Sequence, residues 1–96
     1  MKVVKFGGSS LASGQSVEQA LNIILNDPER QVIVVSAPGK RNNADTKVTD
    51  LLIKYAEQVL KHKETDAIVK QIFARYQEIG YFFGLNDEKL QIIQNI

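Results

Sequence analysis

The sequence predicts an α/β fold, a parallel βαβ unit followed by three helices, on three observations. Val3-Val4 with Phe6 and Val32-Ile33-Val34-Val35 are short continuous apolar runs of β-favouring residues, the pattern of strands covered on both faces. The segment between them carries apolar residues at helical spacing, which makes the two strands parallel neighbours joined by a crossover helix. Beyond Ser36 only helical periodicity recurs.

The first strand runs into Gly7-Gly8, where glycine permits positive φ and a close approach of bare amides. Ser16 followed by Gln19 has the spacing of a capping box, and Val17, Ala20, Leu21, Ile24 and Leu25 then hold one helical face until Asn26-Asp27-Pro28 ends it. Gln31 opens the second strand. A right-handed crossover would put the carboxyl ends of both strands, and hence the loops Lys5–Ser10 and Ser36–Lys40, on one edge of the sheet. Asp45 or Thr46 is placed to cap the next helix, whose face is Val48, Leu51, Leu52, Tyr55, Ala56, Val59 and Leu60. Lys61-His62-Lys63 sets positive charge at its negative end, so His62, the single histidine, reads as a surface residue. Thr65 and Asp66 start a third helix with Ile68, Val69, Ile72, Phe73, Tyr76 and Ile79 inward and Gly80 near its end. Asn86 caps a fourth, with Leu85 stapled on Leu90, Asp87 and Glu88 at the positive end, and Leu90, Ile93 and Ile96 on its apolar stripe. Two strands are too few for a covered parallel sheet, which predicts that residues 1–96 form the N-terminal part of a larger domain.

Composition narrows the function. A chain of 96 residues, 24% charged with net charge +1 and with its basic residues interspersed among acidic ones, lacks the cationic stripe of a nucleic-acid binder. The absence of cysteine excludes disulfides and thiolate metal sites and is compatible with the cytoplasm. No apolar run approaches the roughly 20 residues that span a bilayer, so no membrane role is expected.

The chemistry-bearing residues gather at the strand ends. Lys5 interrupts an apolar strand, where an ammonium needs an anionic partner, and is therefore expected near the strand's end facing a crevice. With the amides of Gly7 and Gly8 and the hydroxyls of Ser9 and Ser10 it makes a plausible phosphate cradle, since every element donates hydrogen bonds or carries positive charge. A tight turn without a ligand accounts for the same glycines. The Walker spacing and the dinucleotide fingerprint are both absent. Ser36-Ala37-Pro38-Gly39-Lys40 offers a second cradle; Lys40 is either an anion ligand or a solvated lysine of a mobile loop. Thr49, in the first turn of the helix after this loop, either faces a substrate carboxylate or is solvent-facing or bonded back to the helix, and Asp50 is accounted for by the helix dipole.

Lys5-Phe6-Gly7-Gly8-Ser9-Ser10 resembles the KFGG[TS]S signature of the aspartokinases, within the amino-acid kinase superfamily. Val34–Lys40 resembles that family's second loop, and Thr46-Lys47-Val48-Thr49-Asp50-Leu51-Leu52 fits its third element. The resemblance implies a carbamate-kinase-like α/β/α sandwich and an ATP- and Mg2+-dependent phosphorylation of L-aspartate to 4-phospho-L-aspartate, in lysine, threonine and methionine biosynthesis. It makes Lys5 catalytic; Lys5, Gly7, Gly8 and Ser9 binders of the ATP phosphates; and Ser36 and Thr49 binders of aspartate. It places the metal ligands, the adenine site, the remaining aspartate contacts and the C-terminal regulatory domains outside this stretch, which alone is expected to be inactive. It also implies a cytoplasmic homo-oligomer. The alternatives are another amino-acid kinase, acting on glutamate, acetylglutamate or a nucleoside monophosphate, and a non-catalytic α/β fragment or interaction module.

Overall fold

The computed structural model describes residues 1–95. In chain order it contains β1 (Lys2–Phe6), a 3-10 turn (Gly8–Leu11), α1 (Gly14–Leu25), β2 (Arg30–Val35), α2 (Val48–Leu60), α3 (Asp66–Phe82) and α4 (Asp87–Gln94). β1 and β2 pair in parallel, with Val3 opposite Val32 and Phe6 opposite Val35, after one register irregularity between Lys2 and Val3. Their carboxyl ends therefore leave the sheet on the same edge, as the crossover requires. The Ser36 amide extends the pairing by donating to the Phe6 carbonyl at 3.2 Å.

Alternation along β1 buries Phe6 in the neighbourhood of Ala20 and Ile23 of α1, while Val3 and Lys5 belong to the opposite face and are exposed. The expectation of strands covered on both faces is not met within this stretch, because α1 is a single helix against one side of a two-stranded sheet. Val32, Ile33, Val34 and Val35 are all exposed.

The starts of α1 and α2 differ from the expected ones, whereas those of α3 and α4 fall where expected. Ser13, not Ser16, caps α1: its Oγ accepts from the Ser16 amide at 3.3 Å, so Ser16 is the partner of the cap. Neither Asp45 nor Thr46 caps α2. The N-cap is Lys47, without a side-chain bond, and the Val48 amide is satisfied by the Pro38 carbonyl at 3.0 Å, so the preceding loop caps the helix with its own backbone. Thr65 holds the N-cap of α3 without a side-chain bond; Glu64 Oε1 accepts from the Thr65 and Asp66 amides at 3.0 Å instead. Those amides hold the Glu64 carboxyl below its usual range. Asn86 caps α4 as expected, accepting from the Lys89 amide at 2.9 Å.

The core is small and lies where α3 meets α1, α2 and α4. Val48 and Leu51 of α2, Ile68 of α3, Leu90 of α4, Ala12, Ala20 and Phe6 are buried. The long apolar face expected for α2 is buried only in its first turn, and Leu52, Tyr55, Val59 and Leu60 are exposed. Gly80 lies near the end of α3, as expected. The helix runs on to Phe82, and Gly80 lies beneath α4, where a Cβ would stand 2.6 Å from Leu90 Cδ2. On the same helix Tyr76 is exposed, and the buried stripe runs through Arg75 instead. His62 is exposed just past α2, at φ 55. Ile93 is exposed, and Ile96 lies outside the described residues. Among the described residues no helix is long and apolar enough to cross a membrane.

Candidate active site

The two loops leaving the strand tips touch through their backbones. The Gly39 amide donates to the Gly8 carbonyl at 2.7 Å. A Cβ on Gly39 would stand 2.8 Å from the Gly8 carbonyl carbon, and one on Gly8 would stand 3.1 Å from the Ala37 carbonyl oxygen. Backbone cannot yield as a side-chain tip can, so glycine at these two positions is what lets the loops meet. Positive φ is not the reason: neither Gly7 nor Gly8 adopts it, which corrects the conformational role expected for the pair.

Beside this contact lies an open cleft of about 480 Å³, lined on one side by Gly8 and Ser9 and on the other by Ser36, Gly39, Lys40, Lys47, Thr49 and Asp50. Its volume is within the range of about 300–1,000 Å³ usual for small-ligand sites. Thr49 and Asp50 are the second and third residues of α2, whose amides have no acceptor within the helix, so the positive end of that helix borders the cleft. Lysine ammoniums, a helix N-terminus and three hydroxyls make a surface suited to anions.

Of the six residues to which the resemblance gives a role, four, Gly8, Ser9, Ser36 and Thr49, line this one cleft. Lys5 and Gly7 do not. Lys5 is exposed one residue before the end of β1, opposite Val34, and makes no salt bridge among the described residues. Gly7 is exposed in extended backbone, φ −78 and ψ 177, and a Cβ there would meet no atom of this chain within 4 Å. No demand of the local fold accounts for that glycine.

The stretch Lys40–Asp45, open in the sequence between a ligand loop and a mobile one, is tied down. Asp45 accepts from the Arg41 amide at 2.9 Å and from Arg41 Nε at 2.7 Å, and Arg41 also bonds Glu78 of α3. The Arg41 side chain first, and then its backbone amide, hold the Asp45 carboxyl well below the usual carboxylate range. Behind the loop stands Arg75, 4% exposed. It donates from Nη1 to the Thr46 carbonyl at 2.8 Å and from Nη2 to the Ala12 carbonyl at 3.3 Å and to the Gly39 carbonyl. Asp45 lies 3.4 Å from the same guanidinium. Arg75 carries no role in the sequence reading, which places Ile68, Val69, Ile72, Phe73, Tyr76 and Ile79 on the inward face of this helix. The signal was present: position 75 continues the stripe of Ile68, Ile72 and Ile79, and an arginine on an apolar stripe needs buried acceptors.

The profile of the amino acid kinase family matches residues 1–94. The chain is 45% identical to Aspartokinase 3 of Bacillus subtilis (strain 168) over 95 residues, 99% of this chain and 21% of that protein. It is 35% identical to the chloroplastic Aspartokinase 2 of Arabidopsis thaliana over 74 residues, 76% of this chain and 14% of that one. Among solved structures, the aspartate kinase of Clostridium acetobutylicum superposes with a TM-score of 0.82 at 42% identity, over 88% of this chain and 19% of that one. The chain thus spans about a fifth of the length of the first of these relatives and of the solved structure.

Proposed function

This chain belongs to the amino acid kinase family, and we propose that it is the N-terminal part of the kinase domain of an aspartate kinase, which transfers the γ-phosphoryl group of ATP to the side-chain carboxylate of L-aspartate. The observation that carries this reading is the single cleft at the meeting of two parallel strand tips, with Ser9 on one side and Ser36 and Thr49 on the other. That the named relatives are aspartokinases supports aspartate over glutamate, acetylglutamate or a nucleotide as the acceptor.

In this reaction an oxygen of the aspartate carboxylate bonds to the γ-phosphorus while the bond from that phosphorus to the bridging oxygen breaks, leaving ADP and 4-phospho-L-aspartate. Such a transfer needs placement and charge neutralisation more than covalent help. Lys5 neutralises charge on the moving phosphoryl group, and the amides of Gly7 and Gly8 with the Ser9 hydroxyl hold its oxygens. Gly7, glycine without a local structural reason, has open space where a Cβ would stand, which leaves its backbone open to approach by a phosphate. Ser36 and Thr49 hold aspartate at the other side. Magnesium would add charge neutralisation on the phosphates when bound. Among the described residues no group of three or more His, Cys, Asp or Glu could hold a metal ion. The same reading carries a cytoplasmic homo-oligomer that serves lysine, threonine and methionine biosynthesis.

The test is ATP-dependent formation of aspartyl hydroxamate by the full-length protein in the presence of hydroxylamine. Lys5→Ala is expected to lower kcat by about 10²–10³, the usual effect of removing one group that stabilises transition-state charge. An unchanged rate would remove Lys5 from the mechanism, and no hydroxamate from the unsubstituted protein would refute the aspartate reading.

A further inference from the structure

The two loops that bound the cleft share a partner that belongs to neither of them. We propose that Arg75 of α3 is a positioning residue that locks both loops into one rigid unit, so that the helical layer sets the shape of the cleft; the functional half of this inference rests on the reading above. Its three acceptors are all loop carbonyls. Ala12 directly follows the 3-10 turn that carries Ser9, Gly39 lines the cleft and donates to Gly8, and Thr46 stands just before α2, whose first turn holds Thr49 and Asp50. One guanidinium therefore reaches backbone on both sides of the cleft, a task that suits the flat, rigid donor fork of arginine and not the compact ammonium of lysine.

Arg75 does not itself line the cleft, so it acts through the groups it holds. Burial is nearly complete, and Asp45 supplies the counter-charge. An arginine needed only to fill this space would be replaced by an apolar side chain of similar volume with little loss. Three backbone carbonyls converging on it cannot be satisfied by such a side chain.

The experiment is amide hydrogen exchange and steady-state kinetics on the full-length protein with Arg75→Lys, and with Arg75→Met as the harsher variant. In Arg75→Lys, which keeps the charge and the aliphatic stem, the amides of Gly39 and Val48 are expected to exchange about tenfold faster or more while the β1–β2 ladder keeps its protection. KM for ATP and for L-aspartate should both rise, with kcat reduced by a smaller factor, the pattern of lost uniform binding. Arg75→Met, if it folds, should exceed Arg75→Lys in both effects. Unchanged exchange at Gly39 and Val48 would overturn the proposal. So would an equal acceleration in the β1–β2 ladder, which marks general loosening. If the unsubstituted protein makes no phospho-aspartate, the functional reading falls, and the exchange result alone decides the positioning role.

Discussion

At the residue scale, three glycines of the strand-tip loops separate a ligand from a packing role. Gly39 and Gly8 are glycine because two backbones touch, whereas a Cβ on Gly7 would meet nothing within 4 Å and its φ is ordinary. Gly7→Ala should leave stability within about 0.5 kcal/mol of the parent, as for other substitutions away from packing features. It should still raise KM for ATP about tenfold, equivalent to about 1.4 kcal/mol of binding. Gly39→Ala should cost about 1–3 kcal/mol of stability, because its Cβ meets backbone. Thermal unfolding and ATP titration of the two variants check both statements. A Gly7→Ala protein with normal ATP affinity would take that residue out of the phosphate cradle. The identities of these residues were legible in the sequence. Their separate reasons were not, since a local reading assigns every glycine to a turn, while the contact between Gly8 and Gly39 joins positions 31 residues apart in the chain.

At the element scale, the loop between β2 and α2 is held by charge and backbone where a sequence reading looks for a helix cap. Asp45 bonds Arg41 and approaches Arg75, and its pKa is depressed in the folded protein. A carboxylate whose folded pKa lies below its unfolded value of about 3.9 stabilises the fold fully above that value and loses its contribution as pH falls through the folded one. The stability lost in Asp45→Asn should therefore be constant from about pH 5 to pH 8 and shrink only below about pH 4. Thermal midpoints of the parent and the variant across that range check it. A difference that disappears between pH 7 and pH 5 would show that Asp45 is not held ionised by these partners. The helices after this loop were legible in existence and order because apolar spacing is a local signal. The cap of α4 was legible too, at Asn86, but those of α2 and α3 were not, since the Val48 amide donates to the Pro38 carbonyl and the Thr65 and Asp66 amides donate to Glu64, outside the helix. Arg75 escaped for a related reason: its acceptors, Ala12 and Gly39, are 63 and 36 residues away.

At the scale of the whole molecule, the stretch is elongated, 47 × 27 × 26 Å, with a radius of gyration of 15.1 Å against about 13 Å for a closed domain of this length. The exposed run Val32–Val35 reads in the sequence as a strand covered on both faces, and the mismatch is a property of the surroundings this stretch supplies, not of the strand. Topology, by contrast, was legible: parallel strands force both tips to one edge, and the tips carry the hydroxyls, glycines and lysines that a phosphate and an amino acid require. The most direct measurement of this arrangement is the pair of Michaelis constants of full-length Thr49→Val in aspartyl hydroxamate formation. A division of the cleft between two substrates predicts that KM for L-aspartate rises about 10- to 100-fold, the loss of one hydrogen bond to a charged group, while KM for ATP stays within about twofold. An equal rise in both constants, or no change in either, would contradict it.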